Sequence, residues 1–214
     1  MKNNEQESAA TGLTYAGYLA LDELLALQRP RSDEHDELLF ITIHQTYELW
    51  FKQIMHELRG AMQALEGDEV SRAAHRLSRV RHILKIAVAQ VDILETLTPL
   101  EFAAFRSRLA TSSGFESAQF RELEALLGVR NPRLAELLPD PASRDRVHAT
   151  MRAPSLWDAI LQWLAGRGHA IPAEVLNRDL SQPYEERGAV QEILLGIYRT
   201  GGEEANLLEQ LDRK

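Results

Sequence analysis

The sequence has 214 residues, 44% hydrophobic and 26% charged, with no cysteine, a formal net charge of -8 and a pI near 5.4. That is enough apolar material for one helical domain with a sizeable core. It excludes disulfides, thiolate metal sites and cysteine nucleophiles, and an acidic surface repels a phosphate backbone, so nucleic acid is not an expected partner.

Met1 to Gly12 is polar, carries no apolar stretch of the signal-peptide kind and reads as a disordered tail, with 13–214 as a single helical domain. Leu19, Leu21, Leu24, Leu25 and Leu27 predict a first helix that ends before Arg29-Pro30. Ser32 and Asp33 offer N-cap oxygens, and Glu34, Asp36 and Glu37 suit the positive end of a helix dipole, so a long helix is expected from Asp33 to about Leu65, closed by Gly67-Asp68. A second long helix is expected from Glu69 to Thr96, and Pro99 opens a shorter one. Thr111-Ser112-Ser113-Gly114 reads as a loop. Short helices are expected near 116–127, 133–138, 141–151, 154–165 and 187–199, punctuated by Asn131-Pro132, Pro139-Asp140-Pro141, Gly166 to Gly168 and Gln182-Pro183. Alternation with period two never lasts, and no run of about 18 apolar residues exists. The expectation is an all-α fold: two long antiparallel helices decorated by shorter ones, cytoplasmic and not attached to a membrane.

On the first long helix, Phe40, Ile43, His44, Tyr47, Phe51, Ile54, Met55, Leu58, Met62 and Leu65 fall within roughly 60° of one line at about 100° per residue. Leu39 and Trp50 border that stripe, with Ile41 and Leu49 farther round. A helix apolar on more than one side is central in its domain, packed against another subunit, or both, and so an oligomer is expected.

His44 lies inside the stripe, where an imidazole loses hydration and needs a hydrogen-bond partner. It is either a core histidine bonded to a backbone carbonyl or a neutral imidazole facing a ligand across an aromatic pocket. His75 and His82 share a face with Ser71, Arg72, Ser78 and Arg79 and read as solvated. His56 is about 120° from His44 on the same helix, so the two cannot chelate one ion. Spacing alone yields no metal site, and no phosphate loop or nucleophile elbow is present. Arg106, next to Phe105 and four residues after Phe102, is either a surface arginine with its stem on a ring or a guanidinium placed beside an apolar pocket to grip a carboxylate.

Several segments together resemble the tryptophan 2,3-dioxygenase family in order and spacing. They are Leu13 to Leu19, Asp33 to Glu37, Leu39 to Trp50 (LFITIHQTYELW) with Phe51-Lys52-Gln53, Leu94 to Pro99, Phe105-Arg106, Ser112 to Phe115 and Gly168 to Pro172. The likeness spans about residues 13 to 200. It implies a homotetrameric, all-helical, haem b enzyme that inserts both atoms of O2 into the indole C2–C3 bond of L-tryptophan. The product is N-formylkynurenine, the first step of tryptophan catabolism by the kynurenine pathway. Carried over by position, His44 matches the distal, catalytic histidine that hydrogen-bonds the indole N–H. Phe40 matches the aromatic residue that packs on the indole, Ile41, Thr42 and Ile43 line the same helix turn, and Phe102 lies against the substrate. Arg106 matches the arginine that binds the substrate carboxylate, and Leu109 an apolar pocket residue. Ser113 and Gly114 match the loop beside the bound gas, and Tyr15, Tyr18 and Leu19 match residues that reach into a neighbouring subunit's pocket.

Family members continue into a segment of the form R-[FY]-R-H, whose histidine is the proximal iron ligand, and then a GTGG loop. Here Ile197-Tyr198-Arg199 is followed by Thr200-Gly201-Gly202 and a last stretch to Lys214, in which the proximal histidine has no counterpart. The resemblance therefore implies a sequence incomplete at its C-terminal end relative to the family. Either it is part of a complete enzyme, which the full set of distal-pocket residues favours, or it is a natural short form without haem. Two other functions stay open on the same fold: a haem-less helical binding or assembly module, and an indole monooxygenase.

Overall fold

The computed structural model describes residues 13–110 and 112–212; the tail expected over Met1 to Gly12 lies outside them, as does Thr111 of the expected loop. Among the described residues every regular element is a helix, as the sequence predicts, and none is long and apolar enough to cross a membrane.

The expected first helix is two. α1 (Tyr15–Leu19) and α2 (Leu21–Leu25) are separated by Ala20, which takes the left-handed conformation at φ 48° and ψ 48°. Thr14 caps α1 through its hydroxyl, which accepts from the Gly17 N–H. Neither helix buries a residue. Without packing to reward it, one longer helix gains little over two short ones.

α3 (Glu37–Glu66) and α4 (Val70–Leu94) form the antiparallel pair. α3 begins at Glu37, not at Asp33, and Ser32 and Asp33 do not cap it. The relation is reversed: the Glu37 carboxylate, 1% exposed, accepts the backbone N–H groups of Arg31 and Ser32 at 2.7 and 2.8 Å and the Ser32 hydroxyl at 2.5 Å. A carboxylate in the first helical turn answers donors that the preceding loop would otherwise bury. Burial alone would push Glu37 up, but these hydrogen bonds outweigh it and hold the carboxyl below its ordinary range.

The predicted stripe on α3 is the central seam of the molecule. Ile43, Ile54, Met55, Leu58 and Leu65 are buried, while Phe40, His44, Tyr47, Phe51 and Met62 are half-buried. α3 packs against α4, α6 (Ala118–Leu126) and α9 (Leu156–Gly166), which explains an apolar surface wider than one face. The Tyr47 hydroxyl donates to the Ala87 carbonyl at 2.7 Å, and the lack of water around it pushes the phenol up. At the far end Asp68, not Gly67, turns the chain, with φ 55°. Its carboxylate accepts from Trp163 Nε1 at 2.8 Å and from Arg167 Nη1 at 2.9 Å.

The short helices start where the sequence has caps. α5 (Pro99–Arg106) carries a full capping box between Thr98 and Glu101, with Pro99 in its first turn. α7 (Pro132–Glu136) and α8 (Pro141–Arg152) open on prolines, and Asp140 caps α8. α9 repeats the capping box with Ser155 and Asp158. The sequence reading missed α10 (Ala173–Leu176) and α12 (Glu203–Asp212), which lie on either side of the expected α11 (Gly188–Thr200). α12 is separated from α11 by Gly201 and Gly202, both at positive φ. It lies on α4 and buries Ala205, Leu207 and Leu208. Each fully buried leucine contributes about 1.5–3 kcal/mol, which fastens a helix too short to stand alone.

Candidate active site

His44 is carried by the N-terminal half of α3. Its Nδ1 lies 2.7 Å from the Phe40 carbonyl. A carbonyl only accepts, so Nδ1 carries the hydrogen, and in the neutral ring Nε2 keeps a lone pair. The bond itself is not a mark of function, because His82 makes the same contact with Ser78 at 2.7 Å on an exposed stretch of α4. The surroundings differ. The Phe40 ring lies 4.1 Å from the His44 ring, 5.7 Å from Phe102 and 5.6 Å from Phe105, and Phe102 meets Phe105 edge-on at 5.5 Å. Phe105 is fully buried and anchors α5 to α3. Phe40, His44 and Phe102 are only half-buried, so they form an aromatic shelf open on one side.

Arg106 follows the anchor. It is half-buried, and its Nη1 donates to the Ala110 carbonyl at 2.9 Å. Ala110 has φ 48° and ψ -122°, a conformation that glycine prefers, and the arginine helps to hold it. A guanidinium has further donors to offer a carboxylate. Leu109, half-buried, closes the short 3-10 turn Ser107–Leu109. Ser113 and Gly114 are exposed, and the Ser113 hydroxyl accepts from the Phe115 N–H at 3.3 Å.

The expected site residues are therefore only partly gathered. Phe40, His44 and Phe102 touch through their rings, and Arg106 follows on the same short helix. Ile41 is half-buried beside them and Thr42 exposed, whereas Ile43 points into the core at 4% exposure. Tyr15, Tyr18 and Leu19 are 77%, 71% and 40% exposed on α1. Sequence reasoning missed Phe105 as the piece that joins α3 and α5; its three-residue spacing from Phe102 was the available signal. It also missed Gln45, which accepts from the Gln28 amide at 2.5 Å and donates to the Leu27 carbonyl at 3.2 Å, tying the end of the α1–α2 arm to α3 beside His44. Among the described residues no group of histidine, aspartate and glutamate could hold a metal ion by itself. Two cavities of about 720 and 660 Å³ are lined by other parts of the chain, the first around Asp68, Trp163 and Arg167, the second around Trp157 and Tyr184.

A family profile described as tryptophan 2,3-dioxygenase matches residues 1–150. A protein named tryptophan 2,3-dioxygenase from Anaeromyxobacter dehalogenans (strain 2CP-C) is 53% identical over 213 residues, covering 98% of this chain and 78% of its own length. One of the same name from Herpetosiphon aurantiacus is 49% identical over 201 residues, covering 93% and 77%. Another from a strain of Bacillus cereus is 42% identical over 207 residues, covering 92% and 74%.

Proposed function

Since the chain belongs to the tryptophan 2,3-dioxygenase family, we propose that it serves the oxidative cleavage of the indole C2–C3 bond of L-tryptophan by O2, with N-formylkynurenine as the product. The observation that carries the reading is one oriented imidazole against the Phe40 ring, which itself meets the Phe102 and Phe105 rings of α5. The Phe40 and Phe102 rings supply flat apolar surface for a bicyclic ligand. His44, with its hydrogen committed to the Phe40 carbonyl, presents Nε2 as the acceptor for the indole N–H. Arg106 grips the substrate carboxylate in a charge-assisted pair and so fixes the direction of the ring. The chain orients the indole and excludes water from it.

The residues present are compatible with haem on one face of this arrangement. The aromatic shelf is apolar and half exposed, and the free nitrogen of His44 gives a polar point beside it. His44 and Leu109, with Ser113 and Gly114 of the following loop, would face the group. When bound, haem supplies the activation of dioxygen, for which the chain has no nucleophile of its own. The reading further places Tyr15, Tyr18 and Leu19 in the site of a second copy within a homotetramer in the cytosol, and their exposure supports that role.

The test separates carboxylate recognition from ring recognition. Arg106→Lys is expected to weaken L-tryptophan binding roughly tenfold and tryptamine binding little, because lysine cannot make the two-pronged contact. Equal losses for both ligands, measured by calorimetric titration, would sink the role of Arg106. Turnover of the purified chain with haem and ascorbate, followed by N-formylkynurenine absorbance, checks the reaction itself.

A further inference from the structure

We propose that the second cavity, between the start of α9 and α11, is a separate binding site for a free aromatic α-amino acid. Its volume of about 660 Å³ suits a small ligand, and its walls are mainly apolar and aromatic. Trp157 and Tyr184 meet there edge to face at 5.9 Å and 75°. The indole Nε1 of Trp157 is buried without a hydrogen-bond partner among the described residues, a state that costs about 1–3 kcal/mol. Unfilled apolar walls also forgo dispersion contacts that closure would bring.

A polar hub supports the walls, and its Arg130 is itself part of the lining. Arg130 donates to the carbonyls of Leu180 at 2.7 Å and Ala153 at 3.0 Å. Arg178 donates twice to Asp158, at 2.7 and 3.0 Å, and its guanidinium lies 5.8 Å from the centre of the Tyr184 ring. Tyr184 is thus held by Arg178 as well as by Trp157, and the site exists before any ligand arrives, which lowers the ordering cost of binding. The donors of Arg130 are committed to carbonyls, so the charges left to recognise a ligand are those at the mouth.

There the sequence places opposite charges side by side. Arg187 spends one nitrogen on Glu185 at 3.1 Å, with half of its side chain exposed. Glu186 accepts the Gln191 amide at 3.1 Å. A cation and a carboxylate at the mouth of an aromatic cavity match a zwitterion with its ring inside. Its carboxylate would lie on Arg187 and its ammonium on Glu186. None of these residues belongs to the His44 shelf, so the proposal does not depend on the reaction assigned there.

The experiment is calorimetric titration of the whole chain with L-phenylalanine, 3-phenylpropionate and phenethylamine. L-phenylalanine is expected to bind saturably, with each analogue roughly tenfold weaker for want of one charge. Val129, which lines the cavity and is 41% exposed, can take a bulky ring without disturbing the core. Val129→Trp should abolish binding while circular dichroism and the melting temperature stay unchanged. Arg187→Gln should weaken L-phenylalanine and phenylpropionate roughly tenfold and spare phenethylamine, and Glu186→Gln should do the reverse. Arg106→Lys should leave the titration as it is. No saturable binding, binding that survives both Val129→Trp and Arg187→Gln, or binding lost with Arg106→Lys would each overturn the proposal.

Discussion

Around Asp158 every charge is buried and answered. The carboxylate accepts the Ser155 N–H and hydroxyl at 2.8 and 2.6 Å and both Arg178 donors, and Arg130 lies 4.0 Å away with its side chain fully buried. Around His44 the same ingredients, rings and polar groups, are left half open: one imidazole nitrogen is used, Arg106 spends one donor on a loop carbonyl, and the rings show a free edge. The first region is complete within the chain and serves folding. The second is finished only by something from outside, and what it loses in packing it offers as binding surface.

Mutations at the two places should therefore separate stability from ligand affinity. The largest effect is expected at the hub. Asp158→Ala removes the carboxylate from a buried arginine and should cost about 3–5 kcal/mol in urea unfolding, because the guanidinium loses its counter-charge. A loss below about 1 kcal/mol would mean that the hub is not the completed region it is taken to be. Glu37→Ala, which strands two backbone donors and the Ser32 hydroxyl, should cost about 2 kcal/mol by the same measurement. His44→Ala should cost only about 1 kcal/mol of stability, since it deletes one local hydrogen bond and a half-buried ring, but lower tryptophan affinity. Unfolding with affinity intact would make His44 a core residue after all.

Acid sharpens the same contrast. Burial pushes the Asp158 carboxyl up, but Ser155 and Arg178 more than offset it, so the folded-state value lies below the ordinary one; Glu37 behaves likewise. A depressed carboxylate adds stability that is fully present above the unfolded value of about 4 and is lost as the pH falls through the folded value. Melting temperature should hold steady from neutral pH down to about 5 and fall below about 4. In Asp158→Asn the acid-dependent part of that fall should shrink.

What could be read from the sequence follows the same division. The α3 stripe from Ile43 to Leu65 was legible because helical burial has a period, and the starts of α5, α8 and α9 were legible because proline and capping residues act locally. The start of α3 was misread because Ser32 looks like a cap, whereas Glu37 decides the outcome through a contact that reaches backward over five residues. The break at Ala20 was invisible, since alanine in the left-handed region carries no sequence signal. In the site, the resemblance pointed to Phe40, His44 and Phe102, which do converge. It gave no hint of the Trp157–Tyr184 cavity, whose walls come from segments far apart in the chain.

The turn between the two long helices carries a further implication. Asp68 supplies both the left-handed backbone and the oxygen that takes Trp163 and Arg167, and Arg167 in turn donates to Glu204 of the last helix at 2.8 Å. Geometry and fastening are thus vested in one side chain. Glycine there would keep the bend yet leave α9 and α12 untethered from it, while alanine would lose both, so few substitutions at this corner are silent even though most of the residue faces water.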